Sequence, residues 1–412
     1  MSRRLTLLLF AMLMSASALP QTRLASNANA AIDVYLESVV GQTFVPGVVA
    51  LVTNADRTIY SVALGLEDVA RGRAMREDAI FRIASMTKPV TAVAVMMLVE
   101  AGLVGLDDPV EQHLPGVVPT EVFASFDPAS RRYTSRPAAM PVTVRHLLTN
   151  TSGLGYPWAN ATLFALIGSG QPSPSVTSLP LLFEPGSRWE YGESSRVLGT
   201  VVAALSGQSM EQFYKERIFD PLGMSDTGWT VSEEQRERLV TAHRRVGDRL
   251  VEIPNAAGPV GAAARGDGGL YSTAADYARF LRMLLNGGRA ENGARLLSEE
   301  SVALMGQNQI GDLRVELQQV ADRSRAQPFP VGARRDSFGF GFQITGQHDD
   351  PELRSPGSMS WAGIQNTEFW LDPARGIGAV LLMQYLPFYD DTAIATLEGF
   401  ERRIYRHLER EQ

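Results

Sequence analysis

The sequence predicts an α/β fold: an antiparallel sheet flanked by helices, carried by both ends of the chain and interrupted by a mostly helical insertion. Three observations lead there. β-rich runs broken by turn residues lie near the start and again near the end, one strongly apolar helical stretch occupies residues 86–104, and helices alternate with Pro-, Ser- and Gly-rich loops between them. Sequence-adjacent hairpins favour antiparallel pairing. Residues 31–115 and 265–412 are therefore expected to form one discontinuous α/β domain, with residues 116–264 as a mostly helical one. A chain of 412 residues accommodates two or three structural units at ~150 residues each.

The elements follow in order. Arg3 and Arg4 precede an apolar run from Leu5 to Met14, and Ala16-Ser17-Ala18 then supplies small residues in an A-x-A pattern. This is the layout of an export signal over residues 1–18, with cleavage expected between 18 and 30. The run is too short to span a bilayer. No other stretch is long and apolar enough for a membrane helix, so a periplasmic or secreted protein without stable membrane insertion is expected.

Ile32, Tyr35, Leu36 and Val39 recur at helical spacing. Residues 48–52 and 58–64 read as strands around Asn54-Ala55-Asp56. In the apolar helix 86–104, Pro89 is tolerable only in the first turn. Residues 123–141 suggest an exposed insertion, and helical patterns return at 197–205, 210–218 and 274–286. Ser272-Thr273 provides an N-cap for the last of these. Residues 313–335 are polar and Arg-rich, as in a long loop or lid whose Arg323, Arg325, Arg334 and Arg335 face solvent. Strands are expected at 338–345, 367–371 and 376–384, and Ile394, Leu397, Phe400, Ile404 and Leu408 mark a closing amphipathic helix.

Composition narrows the function. Hydrophobic residues make up 45% and charged residues 20%, which excludes a disordered or fibrous chain. A net charge of −7 without a basic block disfavours nucleic acid as a partner. Cysteine is absent, and with it disulfides, thiolate metal sites and thiol nucleophiles. Two of the 38 basic residues are lysines, Lys88 and Lys215, and the other 36 are arginines. A lysine kept in such a chain is a candidate for something a guanidinium cannot do, such as releasing its proton.

The five histidines make no H-x-x-x-H pair. No G-x-S-x-G elbow, G-x-G-x-x-G loop or P-loop occurs. What remains is Ser85-Met86-Thr87-Lys88 at the start of the apolar helix. Residues three apart share a helical face, so Lys88 Nζ can reach Ser85 Oγ. Desolvation disfavours an ammonium, and a lysine that shares its proton helps to activate the hydroxyl. The helix start also presents backbone N–H groups to a developing oxyanion. His146 reads as a structural histidine and Lys215 as part of a polar helix surface.

Phe81-Arg82-Ile83-Ala84-Ser85-Met86-Thr87-Lys88-Pro89 resembles the first motif of the serine β-lactamase-related hydrolases, which include class C β-lactamases, DD-peptidases and the family VIII carboxylesterases. His146 to Leu154, Gly268 to Thr273 with Asp276-Tyr277, Gly339 to Phe342, and Trp370 to Pro373 are similar to later segments of that family, in the same order. The resemblance runs from about residue 31 to the C-terminus. It implies a β-lactamase/DD-peptidase-like fold, an acyl-enzyme on Ser85 and no cofactor.

It also implies roles for individual residues. The Y-x-N motif reads Tyr191-Gly192-Glu193 here, which makes Tyr191 the proton-exchanging partner of Ser85. The motif asparagine is missing, and Ser194 is expected to take over part of its role. The third motif, K-T-G in β-lactamases, reads Trp361-Ala362-Gly363, as esterase and acyltransferase relatives carry it. Gly363 would let the strand approach the substrate closely, and the backbone N–H groups of Ser85 and Ile364 would form the oxyanion hole. Trp361 takes the place of a cation, which weakens recognition of an anionic substrate unless Arg354 or another arginine compensates. Trp361, Tyr156 and Trp158 could line an apolar acyl pocket. The expectation is an exported carboxylesterase acting on small-molecule esters. A β-lactamase, a D-amino-acid peptidase and an acyltransferase use the same residues, and a non-catalytic cell-wall or β-lactam binder is the reading from another class.

Overall fold

The computed structural model describes residues 22–40, 45–167, 178–254 and 263–410. The export signal expected over residues 1–18 lies outside them. At the centre is an eight-stranded sheet, every neighbouring pair antiparallel. Its strands are β1 (Gly47–Asn54), β2 (Thr58–Asp68), β3 (Arg73–Ala74), β4 (Ser337–Phe338), β5 (Gln343–Ile344), β6 (Met359–Gly363), β7 (Thr367–Asp372) and β8 (Ile377–Leu382). In space they run β4-β5-β6-β7-β8-β1-β2-β3. The join between the two ends of the chain is the β8–β1 ladder, where Val380 faces Leu51 and Leu381 faces Ala50.

Both central strands are buried throughout, and their side chains alternate between two cores. Val48, Ala50 and Val52, with Trp370, Ala379 and Leu381, pack on Ile32 and Leu36 of helix α1 (Ala28–Val39) and on Leu397, Phe400 and Ile404 of the C-terminal helix Asp391–Arg406. Val49, Leu51, Phe369, Val380 and Leu382 face the larger core. That core contains helix α2 (Thr87–Glu100), α3 (Ser194–Ser206) and α4 (Ala274–Leu285). The C-terminal helix is α5. Helix α2 is buried from Thr87 to Leu98 and presents no polar face, which explains its near-continuous apolar run. Thr273 and Asp390 cap α4 and α5 by accepting from Asp276 N and Ala393 N.

One local expectation gives way, and another gains an anchor. The single strand expected at 338–345 is two dipeptide strands, because Gly341 turns the chain at φ 83° between them. Residues 313–335 lack regular structure, yet Val315, Val320, Ala326 and Phe329 are buried and anchor the loop on the core. Within 116–264 the described residues include short helices and two hairpins, Glu121–Asp127 with Arg132–Pro137 and His243–Val246 with Arg249–Glu252. The first hairpin occupies most of the segment read as an exposed insertion.

Candidate active site

Ser85 sits in a single 3₁₀ turn, Ala84–Met86, that leads directly into α2. Ala84 has φ 44°, in the left-handed region that a residue with a Cβ rarely adopts. The turn is held there from three sides. Ile83 N donates to Leu270 O at 3.0 Å, Tyr277 Oη donates to Met86 O at 3.0 Å, and Thr87 Oγ1 donates to Ala84 O at 2.6 Å.

The i, i+3 geometry of the helix start places Lys88 Nζ 3.2 Å from Ser85 Oγ. Lys88 also donates to Tyr156 Oη at 3.1 Å and to the Asp267 carbonyl at 2.8 Å. These three acceptors match the three protons of an ammonium. On the other side of Ser85, Tyr191 Oη lies 2.6 Å from Ser85 Oγ, and Lys88 Nζ is 4.8 Å from the Tyr191 ring centre. Tyr191 reaches that position on a loop whose next residue, Gly192, could not carry a side chain: a Cβ there would lie 1.9 Å from Leu154 O.

Behind Lys88 is a buried charge cluster. Tyr156 Oη donates to Asp267 Oδ2 at 2.6 Å, and Arg265 approaches the same carboxylate at 3.0 and 3.1 Å. Burial opposes the ionisation of Asp267, but Lys88, Arg265 and Arg196 outweigh it and hold the carboxyl well below its ordinary range. Burial, reinforced by the Asp267 charge, pushes the Tyr156 phenol well above its own range, so it remains a donor. Glu193, at the position of the missing asparagine, is raised to about 7 by burial, against the pull of the Arg196 guanidinium 3.0 Å away.

In front of Ser85 is a cavity of about 370 Å³, walled by Tyr156, Trp158, Tyr191, Phe329 and Trp361. The Phe329 ring stands edge-on to Tyr191 at 5.5 Å and stacks on Trp158 at 5.8 Å. Trp361 is buried against Tyr191, at 5.1 Å between ring centres, and its Nε1 has no hydrogen-bond partner among the described residues. Gly363 ends β6 against the Ser85 turn, where a Cβ would lie 2.4 Å from Ile83 O. This close approach sets Ile364 and Ser85 in the same cavity wall.

The β-lactamase family pattern matches residues 31–400. The chain belongs to the β-lactamase family. Among relatives of this β-lactamase family member, esterase EstB of Burkholderia gladioli is 31% identical over 396 residues, 87% of this chain and 91% of EstB. Monacolin J acid methylbutanoyltransferase of Aspergillus terreus is 28% identical over 385 residues, 88% of this chain and 92% of that protein. The unliganded simvastatin synthase LovD of Aspergillus terreus superposes with a TM-score of 0.78 at 25% identity, covering 92% of this chain and 98% of LovD. The fold is therefore the mixed α/β architecture that the resemblance implied, and the family is one of serine hydrolases with esterase and acyltransferase members.

Within this β-lactamase family fold, the sequence-predicted residues separate into those that meet and those that do not. Ser85, Lys88, Tyr191 and Tyr156 converge, with Trp361 and Ile364 in the same cavity wall. Ser194 does not join them: its hydroxyl is buried against Ser152 Oγ at 2.8 Å and lies outside the cavity lining. Its place on the first turn of α3 turns it into the core, toward Ser152. Arg354 grips Glu401 through two bonds of 2.8 and 2.7 Å and is engaged before any substrate arrives. Arg323, Arg325, Arg334 and Arg335 are exposed, as expected, and Arg325 and Arg335 also line the cavity, Arg325 lying 6.0 Å over the Trp158 ring. His146 accepts from Thr143 N in a capping box, and Lys215 pairs with Asp220 on the surface.

Asp267, Glu193 and Phe329 were not singled out from the sequence. The signal for Asp267 was a charge inside a glycine run, Arg265-Gly266-Asp267-Gly268-Gly269, directly before a matched motif.

Proposed function

We propose that the protein cleaves carboxylic esters through an acyl-enzyme on Ser85. The observation that carries this reading is Ser85 Oγ lying between Lys88 Nζ at 3.2 Å and Tyr191 Oη at 2.6 Å, at the floor of an aromatic cavity. Oγ attacks the ester carbonyl, and the Ser85 and Ile364 amides receive the oxyanion. In this reading the Tyr191 oxygen, 2.6 Å from Ser85 Oγ, takes up the serine proton, with Lys88 Nζ 3.2 Å from the same Oγ as its partner in the relay. Tyr191 then returns the proton to the departing alkoxide, and water releases the acid by the same route.

Trp361 supports a neutral ester over a β-lactam or a D-amino-acid peptide, because an indole offers no charge to a substrate carboxylate. The test is turnover of p-nitrophenyl butyrate beside nitrocefin, with Ser85→Ala as control. Ester cleavage that depends on Ser85, with negligible nitrocefin turnover, is expected. The reverse pattern would overturn the ester reading.

The aromatic cavity favours a second reading, in which an alcohol or amine intercepts the acyl-enzyme in place of water. The likeness to a methylbutanoyltransferase points the same way. Partitioning of the acyl group between water and an added alcohol measures this directly.

Export is also proposed, with cleavage before Thr22. Thr22–Leu24 pairs antiparallel with Leu408–Arg410, so a later cut would remove a strand that closes the fold. N-terminal sequencing of the secreted or periplasmic protein checks the position.

A further inference from the structure

The cavity does not end at the nucleophile. On β6, strand β5 pairs only with Met359 and Ser360, so the Trp361-Ala362-Gly363 half of β6 has no strand paired on its outer edge among the described residues. The cavity passes over that open edge. Ser360 and Glu368, on the sheet face opposite Trp361 and Phe369, continue its lining together with Ala362, Tyr389 and Leu397 of α5. Aromatic walls on the Ser85 side thus lead into a mixed polar and apolar chamber on the other.

Glu368 stands in that chamber. It lies opposite Ala362 in the β6–β7 ladder and is 6% exposed, yet it makes no hydrogen bond or ion pair among the described residues. The nearest cation, Arg354, is held by Glu401 through two short bonds and neutralised there. Burial, which Arg354 only partly offsets, holds the Glu368 carboxyl well above its ordinary range. An unpartnered polar group favours a ligand that supplies the missing hydrogen bond, and here the carboxyl faces open cavity rather than packed side chains. A neutral carboxylic acid is both a donor and an acceptor and complements an uncharged hydroxyl or amide.

We propose that the chamber receives the acyl arm of the ester, and that Glu368 hydrogen-bonds an uncharged hydroxyl or amide group carried toward the far end of that arm. This rests on the acyl-enzyme reading above. The arm is assigned to the acyl half because the alcohol leaves first. The open mouth beside Arg265, Gly269 and Arg325 gives it a direct exit, whereas the acyl group stays until deacylation.

The test uses p-nitrophenyl esters of butanoic, hexanoic and octanoic acids and of their ω-hydroxy counterparts, with p-nitrophenyl acetate as the arm-free reference. In the wild-type protein, kcat/KM for the ω-hydroxy ester should exceed that for its alkyl partner by about tenfold or more at one chain length. Glu368→Gln should keep the preference, and Glu368→Leu should reverse it, both with acetate turnover unchanged. Equal kcat/KM for the two series in the wild type would overturn the proposal without needing any variant, as would a preference that survives Glu368→Leu. A preference for an ω-ammonium arm over the hydroxyl would overturn it too, since it requires an ionised Glu368. Acetate turnover that is absent, or independent of Ser85, would instead remove the acyl-enzyme reading, so the two failures are distinguishable.

Discussion

In the proposed mechanism Ser85, Lys88 and Tyr191 share one proton relay, and Ser85 and Tyr191 each predict a separable loss. Ser85→Ala should lower kcat for the ester by at least about a thousandfold, because no other nucleophile stands in the cavity wall at that point. Tyr191→Phe keeps the ring contacts with Phe329 and Trp361 and removes only the hydroxyl 2.6 Å from Ser85. A fall in kcat of about 10²–10⁴ with an unchanged melting temperature is expected, the range for loss of a general base. Glu193 gives a pH signature at the same scale. Its carboxyl is raised from 4.5 to about 7 in the fold, so between these values the native state binds more protons than the unfolded chain. Stability contributed by this group is therefore present below about 4.5 and falls as the pH rises toward about 7. Chemical denaturation across that window should show the decline in the wild type and a flatter profile in Glu193→Gln.

At the scale of elements, the site depends on how closely β6 meets the turn before α2. Gly363→Ala would set a Cβ 2.4 Å from Ile83 O and 2.2 Å from Thr367 Oγ1, so strand and turn must separate. Displacing an oxyanion-hole amide by about 1 Å costs about 100-fold. The expected result is a folded protein with kcat lowered by that order, read from kinetics together with circular dichroism. The Ser85–Lys88 spacing, by contrast, is local to one helix start. It was legible because residues three apart on a helix meet whatever surrounds them. In segment 313–335 the loop and its exposed arginines were legible, but its fastening over the cavity by Val315, Val320, Ala326 and Phe329 was not. Scattered apolar residues without a helical or strand period leave no pattern from which such anchoring can be read.

Across the whole molecule, both ends of the chain meet twice, in the β8–β1 ladder and in the small pairing of Thr22–Leu24 with Leu408–Arg410. Thr22 strengthens the second meeting, donating from Oγ1 to Arg375 O at 2.7 Å and accepting from Asn54 Nδ2 at 3.0 Å. A chain that starts at Thr22 should keep the full-length melting temperature, and one that starts at Ala28 should melt about 1–2.5 °C lower by scanning calorimetry, as a loss of one to two kcal/mol gives in a protein of this size.

The sequence alone determined the meeting of Ser85 with Lys88, the apolar helix that carries them, the alternating strands at both ends, and the family, because each is written in spacing over a few residues or in ordered motifs. Only the tertiary structure decided what stands around them. Tyr191 lies 106 residues from Ser85, and the Asp267 carbonyl lies 179 from Lys88. Ser194 and Glu193 are adjacent in the chain, yet one turns into the core and the other toward the charge cluster. The open half of β6, and the chamber that admits Glu368 to the cavity, exist because β5 is only two residues long. Distances of this kind are set by how packed elements settle against one another, and no local pattern of residues encodes them.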